Sequence, residues 1–456
     1  MIIFENNKLI NDNFINRLID DNIININLTN KKFEEIYNIL IKEKEIKEFM
    51  FSINNSVNFY FGVNNNNIGS VYSPLSFSEE FSGVLTIIWN NNKLSLVDLD
   101  NDKILNFEKY INFFKEISYE EKFLPELSKD AKHIDFKSFD IDLYEEIKNN
   151  NFELFIKSYD LFKYFKDQNV KFSNIDVNYS FNYEIFANSN GLNFGKIYTE
   201  NSIFYDFDSI LGYSKGKYKK LEENDIDEFK TYFKIFFDKF NDVEYKKIET
   251  KNVILLSPVL YSLLNFYLGY NFDGKNLYYK KSFFSIDDFE NNRIFSSKPF
   301  TLYFDPTIDF EFSSYPISVE GLTPEKTIFI EDGKLIQPSI SLKSSKMLNK
   351  PANNGFGGGK LILSPYDKTL LSKIEELEDC YIVFDILGLH TQDPISGNFS
   401  LSVSTGLLKE KGKFVGLMKG NIASNIFEIF KSGNFEILKN DYNEKFSLFT
   451  KINVVN

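Results

Sequence analysis

The stretch that most constrains how this chain can fold is residues 253–274, which read VILLSPVLYSLLNFYLGYNFDG. Its first four residues are apolar and predict a short buried strand. Ser257 and Pro258 then predict an N-cap and a first helical position, because proline's missing N–H costs nothing there. The next ten residues are apolar nearly all round, which is typical of a buried helix, and Gly269 lies where that helix could end or loosen. The chain should therefore fold around a buried strand and helix.

Residues 263–274 of this stretch, LLNFYLGYNFDG, resemble the central segment of the TldD/PmbA family, whose members are proposed modulators of DNA gyrase. The zinc-peptidase member of that family carries L-L-H-E-x-x-G-H-x-x-E-G in this segment. Asn265 and Tyr270 stand at its two histidine positions, and Phe266 stands at its glutamate position. The resemblance implies that the frame of a zinc-binding helix has been kept and that its chemistry has been lost.

The residues at those three positions are unsuited to hydrolysis. A catalytic zinc ion needs about three protein ligands and an open position for water, with a carboxylate nearby to take the proton from that water. An amide, a phenyl ring and a phenol with an ordinary pKa of about 10 do not supply these groups. The chain has only two histidines, His133 and His390, which lie far apart in sequence. We therefore expect no zinc site, no other cofactor and no catalytic residue.

Further motifs extend the resemblance over about residues 250–430. Residues 313–321, SSYPISVEG, resemble the family's D-D-E-G segment, with Ser318 and Val319 in place of its two aspartates. Residues 391–400, TQDPISGNFS, resemble v-T-G-d-F-S, and the zinc-bearing type takes its remaining ligand from a cysteine in this late region, where the present chain has serines. The resemblance is therefore to the zinc-free PmbA (TldE) type. It implies a substrate groove at Glu320, Gly321, His390, Phe399 and Ser400.

This resemblance implies a non-catalytic subunit of a zinc metallopeptidase that acts on unstructured peptides. A TldD-like partner would supply the zinc and the catalytic glutamate, so we expect a heterodimer with that partner, or a homodimer when the chain is made alone. One alternative is a free-standing homodimeric peptide-binding or scaffold protein that has lost the chemistry. Another is a hydrolase that uses carboxylates without zinc, for which the candidates are Asp305, Asp309, Glu311 and Glu320.

Composition excludes several other classes of protein. Hydrophobic residues make up 43% of the chain and aromatic residues 17%, which is incompatible with a disordered chain. A net charge of −13 repels phosphate backbones, so we expect no direct binding to nucleic acid. The single Cys380 fits a reducing compartment, and its apolar neighbours predict a buried strand residue. The N-terminus does not resemble a signal peptide, and residues 253–270 are too polar for a membrane span, so we expect a cytoplasmic protein.

The expected fold class is α+β: an N-terminal α/β region with antiparallel strands, followed by a β-rich C-terminal domain around the buried helix. The charged residues 214–224 predict a linker. We therefore place an N-terminal domain at 1–220, which could divide into 1–125 and 126–220, and a C-terminal TldD/PmbA-like domain at 221–456.

Two local patterns refine this outline. Residues 170–186, 193–199 and 202–207 predict a three-stranded meander. Helical spacing predicts a core-packing stripe of Ile226, Phe229, Phe233, Phe236 and Phe240.

Overall fold

The computed structural model describes residues 4–5, 8–9, 23–64, 67–68, 76–149, 151–167, 172–207, 211–236, 239 and 247–455. The chain divides into two compact units. The N-terminal unit comprises residues 1–222 with 306–325, and the C-terminal unit comprises residues 223–305 with 326–456. Helices and antiparallel strands occur in both, which confirms the expected α+β class. The predicted domain limits of 1–220 and 221–456 remain a prediction.

The N-terminal unit is built on a long antiparallel sheet. In the described residues eight strands pair in the order β10-β9-β8-β3-β5-β6-β7, with β4 added to β3, and β1 pairs with β2. The strands are β1 (Phe4–Glu5), β2 (Lys8–Leu9), β3 (Ile46–Asn64), β4 (Asn67–Ile68), β5 (Ser76–Trp89), β6 (Lys93–Leu99), β7 (Tyr119–Glu120), β8 (Phe172–Asn188), β9 (Asn193–Phe207) and β10 (Leu211–Lys217). The helices are α1 (Ile26–Lys42), α2 (Asn101–Leu105), a 3-10 turn (Phe107–Tyr110), α3 (Ile111–Glu116), α4 (Ile141–Lys148) and α5 (Glu153–Asp167).

The meander predicted in this unit differs from the observed one. Residues 193–199 and 202–207 form the single strand β9, and the third strand is β10, whose last residues were predicted to be linker. The strand continues through its polar centre because both the nitrogen and the oxygen of the Asn201 amide have hydrogen-bond partners there. Its Nδ2 donates to the Asn178 carbonyl oxygen at 3.2 Å, and its Oδ1 accepts from the Leu221 N–H at 3.1 Å. A buried polar side chain with both partners does not interrupt a strand.

The two faces of this sheet have different chemistry, because successive strand residues point to opposite sides. Along β8, alternate residues on one face are apolar or aromatic and almost fully buried, namely Val177, Tyr179, Phe181, Tyr183 and Ile185. The intervening residues on the other face are polar, namely Asn178, Ser180, Asn182 and Glu184. The segment 306–325 contributes Phe310 to a small cluster in this unit with Phe136, Tyr198 and Tyr218.

The C-terminal unit contains two sheets in the described residues. One has nine strands in the order β16-β21-β22-β11-β17-β18-β20-β23, with β19 added to β18, and the other has the order β14-β13-β12-β15. The strands are β11 (Asn252–Leu255), β12 (Thr301–Asp305), β13 (Thr327–Glu331), β14 (Lys334–Leu335), β15 (Lys360–Ser364), β16 (Lys368–Thr369), β17 (Cys380–Leu387), β18 (Asn398–Glu410), β19 (Lys413–Leu417), β20 (Gly420–Asn425), β21 (Phe435–Lys439), β22 (Phe446–Lys451) and β23 (Asn453–Val455).

The helices of this unit are short and lie between those strands. They are α6 (Glu223–Phe236), α7 (Ser257–Leu264), a π-helical turn (Asn265–Gly269), α8 (Tyr270–Phe272), α9 (Gly274–Tyr278), α10 (Ile286–Glu290), α11 (Leu342–Leu348), α12 (Leu370–Glu376), a 3-10 turn (Leu389–Thr391) and α13 (Ile426–Ser432).

The predicted strand and helix lie at the centre of this unit. Strand β11 pairs in parallel with β17 and antiparallel with β22, and α7 follows it directly. Four α7 side chains are at most 1% exposed, namely Val259, Leu260, Leu263 and Leu264, which confirms a β-rich region around a buried helix. The burial is not all round, because Pro258 and Ser262 are exposed.

The predicted start of the helix is wrong by one residue. Leu256 is the N-cap and makes no side-chain cap bond, and Ser257 is already the first helical residue. The Ser257 hydroxyl is instead used in tertiary contacts, where it accepts from Asn440 Nδ2 at 3.3 Å.

Helix α6 confirms the aromatic stripe as core packing. Ile226, Phe229, Phe233 and Phe236 are all buried, whereas the predicted Phe240 lies outside the described residues. No helix in the described part of the chain is long and apolar enough to cross a membrane.

Candidate functional site

The helix that carries the degenerate zinc motif changes its winding inside the motif. It is α-helical as far as Leu264, π-helical over Asn265–Gly269 and α-helical again from Tyr270. In an α-helix, side chains five residues apart are rotated from each other by about 140° around the helix axis, so they cannot bind the same metal ion. A π-helical turn is hydrogen-bonded between residues five apart and brings them to the same side. The i and i+5 spacing of H-E-x-x-x-H therefore fits the π-helical turn of the present chain.

The groups at the motif positions do not fit a zinc ion. Asn265 is exposed, and Phe266 and Tyr270 are half-buried. The Phe266 ring packs edge-on to Tyr267, with 5.0 Å between the centroids. In the described part of the chain, no group of three or more His, Cys, Asp or Glu side chains could hold a metal ion. The donor set is thus one amide and one phenol, and neither is a ligand that zinc prefers.

Two buried polar side chains hold the helix at this point. The fully buried Asn271 donates from Nδ2 to the carbonyl oxygens of Tyr267, at 2.8 Å, and Pro394, at 2.6 Å. Its Oδ1 accepts from the Phe283 N–H at 2.7 Å, and the Tyr267 hydroxyl donates to the Asn398 carbonyl oxygen at 2.8 Å. These bonds tie the motif helix to the 394–398 loop. Sequence reasoning missed both residues, although a polar residue in an apolar helix is a signal of such a role.

Strand β18 carries serines in the region from which the zinc-bearing type takes its cysteine ligand. The Ser402 hydroxyl donates to Asn421 Oδ1 at 2.8 Å, and the Ser404 hydroxyl donates to the Asp385 carboxylate. Ser400 is exposed, and its backbone N–H donates to Gln392 Oε1 at 3.0 Å. These serines offer hydroxyls, two of them in hydrogen bonds, and a hydroxyl is not a soft ligand for a metal.

The single thiol is also unsuited to chemistry. Cys380 is the first residue of β17 and is fully buried, which confirms the prediction of a buried strand residue. Burial raises the pKa of its thiol to about 12, so the thiol stays protonated at neutral pH and is a poor nucleophile.

A cavity of about 400 Å³ lies beside the degenerate motif. One wall is the exposed side of the helix, where Pro258, Ser262 and Phe266 follow one another at four-residue spacing. The other wall is the end of β17 and the 3-10 turn after it. We name this cavity the β17 pocket, and its lining residues are Pro258, Val259, Ser262, Phe266, Asp385, Ile386, Leu387, Gly388, Leu389 and His390.

The predicted groove residues divide into two sets. His390 lines the β17 pocket, whereas Phe399 is only 3% exposed and packs in the core, with its ring centroid 6.5 Å from that of Tyr267. Glu320 and Gly321 belong to the N-terminal unit. His390, Phe399 and Ser400 belong to the C-terminal unit. A shared role of the five residues in one groove therefore remains a prediction.

The Glu320-Gly321 segment is a tight turn organised by the residue at the family's first aspartate position. Ser318 Oγ accepts the backbone N–H groups of Glu320, at 3.3 Å, and Leu322, at 3.0 Å. An aspartate carboxylate can make the same turn bonds, so this position has a structural role that serine preserves. Gly321 has a φ of 72°, and an added Cβ would lie 2.8 Å from Met50 Sδ, which explains the glycine.

Residues 249–450 match the PmbA/TldA metallopeptidase C-terminal domain. An uncharacterised protein of Methanocaldococcus jannaschii is 27% identical over 193 residues, which are 41% of this chain and 46% of that protein. The chain thus spans about half the length of this curated relative.

Solved structures extend the similarity over nearly the whole chain. TldE from Thermococcus kodakarensis has a TM-score of 0.74 at 17% identity and covers 92% of this chain and 100% of its own. A proposed DNA gyrase modulator from Bacteroides thetaiotaomicron has a TM-score of 0.74 at 15% identity, covering 93% of this chain and 98% of its own. A similarly described protein from Thermotoga maritima has a TM-score of 0.65 at 15% identity, covering 94% and 100%. At these identities the structural similarity establishes the fold alone.

Proposed function

We propose that this chain is the non-catalytic, PmbA/TldE-type subunit of a zinc metallopeptidase that acts on unstructured peptides. A TldD-like partner supplies the zinc ion and the catalytic glutamate. One observation carries this proposal: the motif helix keeps its π-helical turn, whereas Asn265, Phe266 and Tyr270 occupy the three positions that do chemistry. A scaffold that keeps an unusual turn after losing its ligands is under a structural constraint, and assembly with a catalytic relative supplies one.

In this function the chain contributes shape rather than chemistry. The Asn271 and Tyr267 hydrogen bonds hold the degenerate helix against the loop at 394–398. Such support keeps surfaces around a substrate chamber in place without any metal in this chain. Binding energy from surfaces remote from the scissile bond can still favour reaction at the partner's zinc.

Co-expression with a zinc-bearing family member from the same genome tests the proposal. We expect the two chains to co-purify, with one zinc ion per heterodimer, and to cleave an unfolded substrate such as reduced, carboxymethylated casein. The present chain alone should contain no stoichiometric zinc and should not cleave casein. The control is a partner in which the catalytic glutamate is replaced by glutamine. That complex should assemble and bind zinc but should not cleave, because the general base is missing.

Stoichiometric zinc or casein cleavage by the present chain alone would contradict the proposal. So would a partner that is fully active alone and never associates with this chain.

A free-standing homodimeric peptide-binding or scaffold protein is the second candidate, and the β17 pocket favours it, because a pocket can bind a peptide without chemistry. Multi-angle light scattering at micromolar concentration separates the two. A homodimer that persists when the zinc-bearing relative is present supports this second function, whereas exchange into a heterodimer supports the first.

A further inference from the structure

Strand β17 extends beyond its parallel neighbour and leaves a free edge beside the β17 pocket. Its pairing with β11 covers Tyr381, Ile382 and Val383, and the last contact on that side is the Leu256 N–H donating to the Val383 carbonyl oxygen at 3.1 Å. On the opposite side, pairing with β18 continues to Leu387. In the described residues, 385–387 therefore have a strand neighbour on one side only. Main-chain groups at such an edge are free to pair with another extended chain.

The pocket beside this edge has a lining that suits an apolar side chain of a bound peptide. Phe266, Val259 and Ile386 supply apolar lining, and Leu387 is 58% exposed at its rim. The volume of about 400 Å³ lies within the range of about 300–1,000 Å³ that is common for ligand sites. A strand added to the edge would direct alternate side chains toward and away from the pocket. The pocket could thus accept one large apolar side chain of an added strand.

The charge of the pocket lining determines which polypeptide segments could bind there. Among the described residues that line the pocket, Asp385 is the only carboxylate. It is exposed and accepts a hydrogen bond from the Ser404 hydroxyl. The described lining contains no lysine or arginine to balance this charge. The whole chain has a net charge of −13, so an acidic segment would be repelled and a basic one attracted. The charge of the pocket is complementary to a basic and apolar sequence.

We propose that the β17 pocket binds an extended basic polypeptide segment, which pairs with β17 at residues 385–387 and places one apolar side chain beside Phe266. Main-chain hydrogen bonds would supply affinity, and the pocket would supply preference for an apolar residue. A lysine or arginine next to that residue in the segment faces Asp385. This inference rests on the proposed function only in taking the segment to be substrate for the partner. Binding itself belongs to this chain alone.

The probe is a fluorescein-labelled peptide, Gly-Ser-Lys-Phe-Lys-Ser-Gly, titrated with the purified full-length chain and followed by fluorescence anisotropy. We expect saturable binding that weakens at least about tenfold when alanine replaces phenylalanine in the peptide. Replacing both lysines of the peptide by glutamate should weaken binding by a similar factor. Methylation of the backbone nitrogens flanking the phenylalanine should weaken it about five- to tenfold, which is the size of one or two lost hydrogen bonds.

Ser262→Trp fills the pocket from the exposed side of the helix and should weaken peptide binding at least tenfold. Ser372→Trp is the matched control, because Ser372 is also an exposed serine on a short helix and does not line the pocket. It should bind the peptide like the unmodified protein. Asp385→Asn should remove the preference for the lysine peptide over the glutamate peptide and leave apolar selectivity unchanged. Circular dichroism confirms that each variant is folded before its titration is interpreted.

Several outcomes would overturn the inference. These are no saturable binding up to about 1 mM protein, equal binding by Ser262→Trp and the unmodified chain, or equal binding of the methylated and unmethylated peptides. Conversion of a dimer into a monomer by Ser262→Trp would also overturn it, because a second copy would then cover the pocket. Co-purification with the zinc-bearing relative is measured on the same variants. Loss of peptide binding with intact co-purification defeats only this inference, and intact peptide binding without co-purification defeats only the proposed function.

Discussion

The sheets of the two units differ in the kind of residue that covers their faces. In the C-terminal unit, the β17 residues from Cys380 to Phe384 are all at most 4% exposed, so both faces of this strand are covered by apolar groups. In the N-terminal unit, β8 buries aromatic residues on one face and presents Asn182 and Glu184 on the other. The first arrangement depends on packing alone. The stability of the second arrangement also depends on whether the ionisable side chains on its polar face are charged.

The ionisable groups of that polar face show the consequence. Burial raises the pKa of the Glu200 carboxyl to about 7. Burial also raises the pKa of the Glu184 carboxyl, which accepts a hydrogen bond from the Tyr198 hydroxyl at 3.2 Å. We therefore expect the stability of the N-terminal unit to depend on pH, whereas that of the C-terminal unit depends mainly on packing.

The largest expected effect tests the packing side of this comparison. Leu264→Ala removes a fully buried side chain of α7 and should lower the free energy of unfolding of the C-terminal unit by about 3–5 kcal/mol. The single Trp89 is buried in the N-terminal unit, so its fluorescence reports that unit, whereas far-UV circular dichroism reports both. In urea, the variant should shift the circular-dichroism transition more than the fluorescence transition.

Leu143→Ala is the matched variant, because Leu143 is equally buried but belongs to the N-terminal unit. It should shift the fluorescence transition instead. If both variants shift both transitions equally, the two units unfold as one and the comparison fails.

The next largest effect concerns pH. A Glu200 pKa of about 7 in the folded protein exceeds the ordinary glutamate value, so the folded state binds more protons than the unfolded state between about pH 4.3 and pH 7. The stability contributed by the protonated group is complete below that window. It falls by up to about 3 kcal/mol as the pH rises to 7, and then levels off.

Thermal unfolding followed by Trp89 fluorescence at several pH values measures this loss. Glu200→Gln should flatten the profile, and Glu184→Gln combined with it should flatten it further, because the pKa of Glu184 is raised in the same direction. A profile of the double variant that matches the unmodified chain would contradict the assignment.

A smaller effect sharpens the account of the Glu320-Gly321 turn. Ser318→Ala removes an oxygen that accepts two backbone N–H groups and should destabilise the N-terminal unit by about 1 kcal/mol. Ser318→Asp restores the family's residue and a turn acceptor, so it should stay within about 0.5 kcal/mol of the unmodified chain. Urea unfolding followed by Trp89 fluorescence compares them. Equal destabilisation by both substitutions would show that the family's aspartate is not interchangeable with this serine.

The smallest expected effect is on activity. Asn265→His, Phe266→Glu and Tyr270→His together rebuild the motif on the retained π-helical turn, so some zinc should bind. The triple variant should nevertheless cleave casein no faster than the unmodified chain, because a third ligand and the partners that orient the imidazoles are still missing. Elemental analysis after dialysis and a casein assay measure the two properties. Strong zinc-dependent cleavage would show that the remainder of the site has been retained.

The sequence by itself determined the elements whose signals are local. The apolar run and proline at 253–258 predicted a strand followed by a helix, and the stripe beginning at Ile226 predicted a core-packing face. The expectation that Asn265, Phe266 and Tyr270 bind no zinc also rests on the sequence alone, because metal chemistry depends on which atoms a side chain offers, and it stays a prediction. These inferences need no knowledge of distant contacts.

Only the tertiary structure decided the features that depend on partners far away in the chain. Ser257 was expected to cap a helix, but its hydroxyl oxygen accepts a hydrogen bond from Asn440 Nδ2. Residues 193–207 were expected to form two strands, but Asn201 finds partners at Asn178 and Leu221 and the strand continues. The free edge of β17 and the pocket beside it exist because β11 ends where α7 begins. A sequence pattern records what each residue prefers, whereas burial and pairing across the fold determine which preference is satisfied.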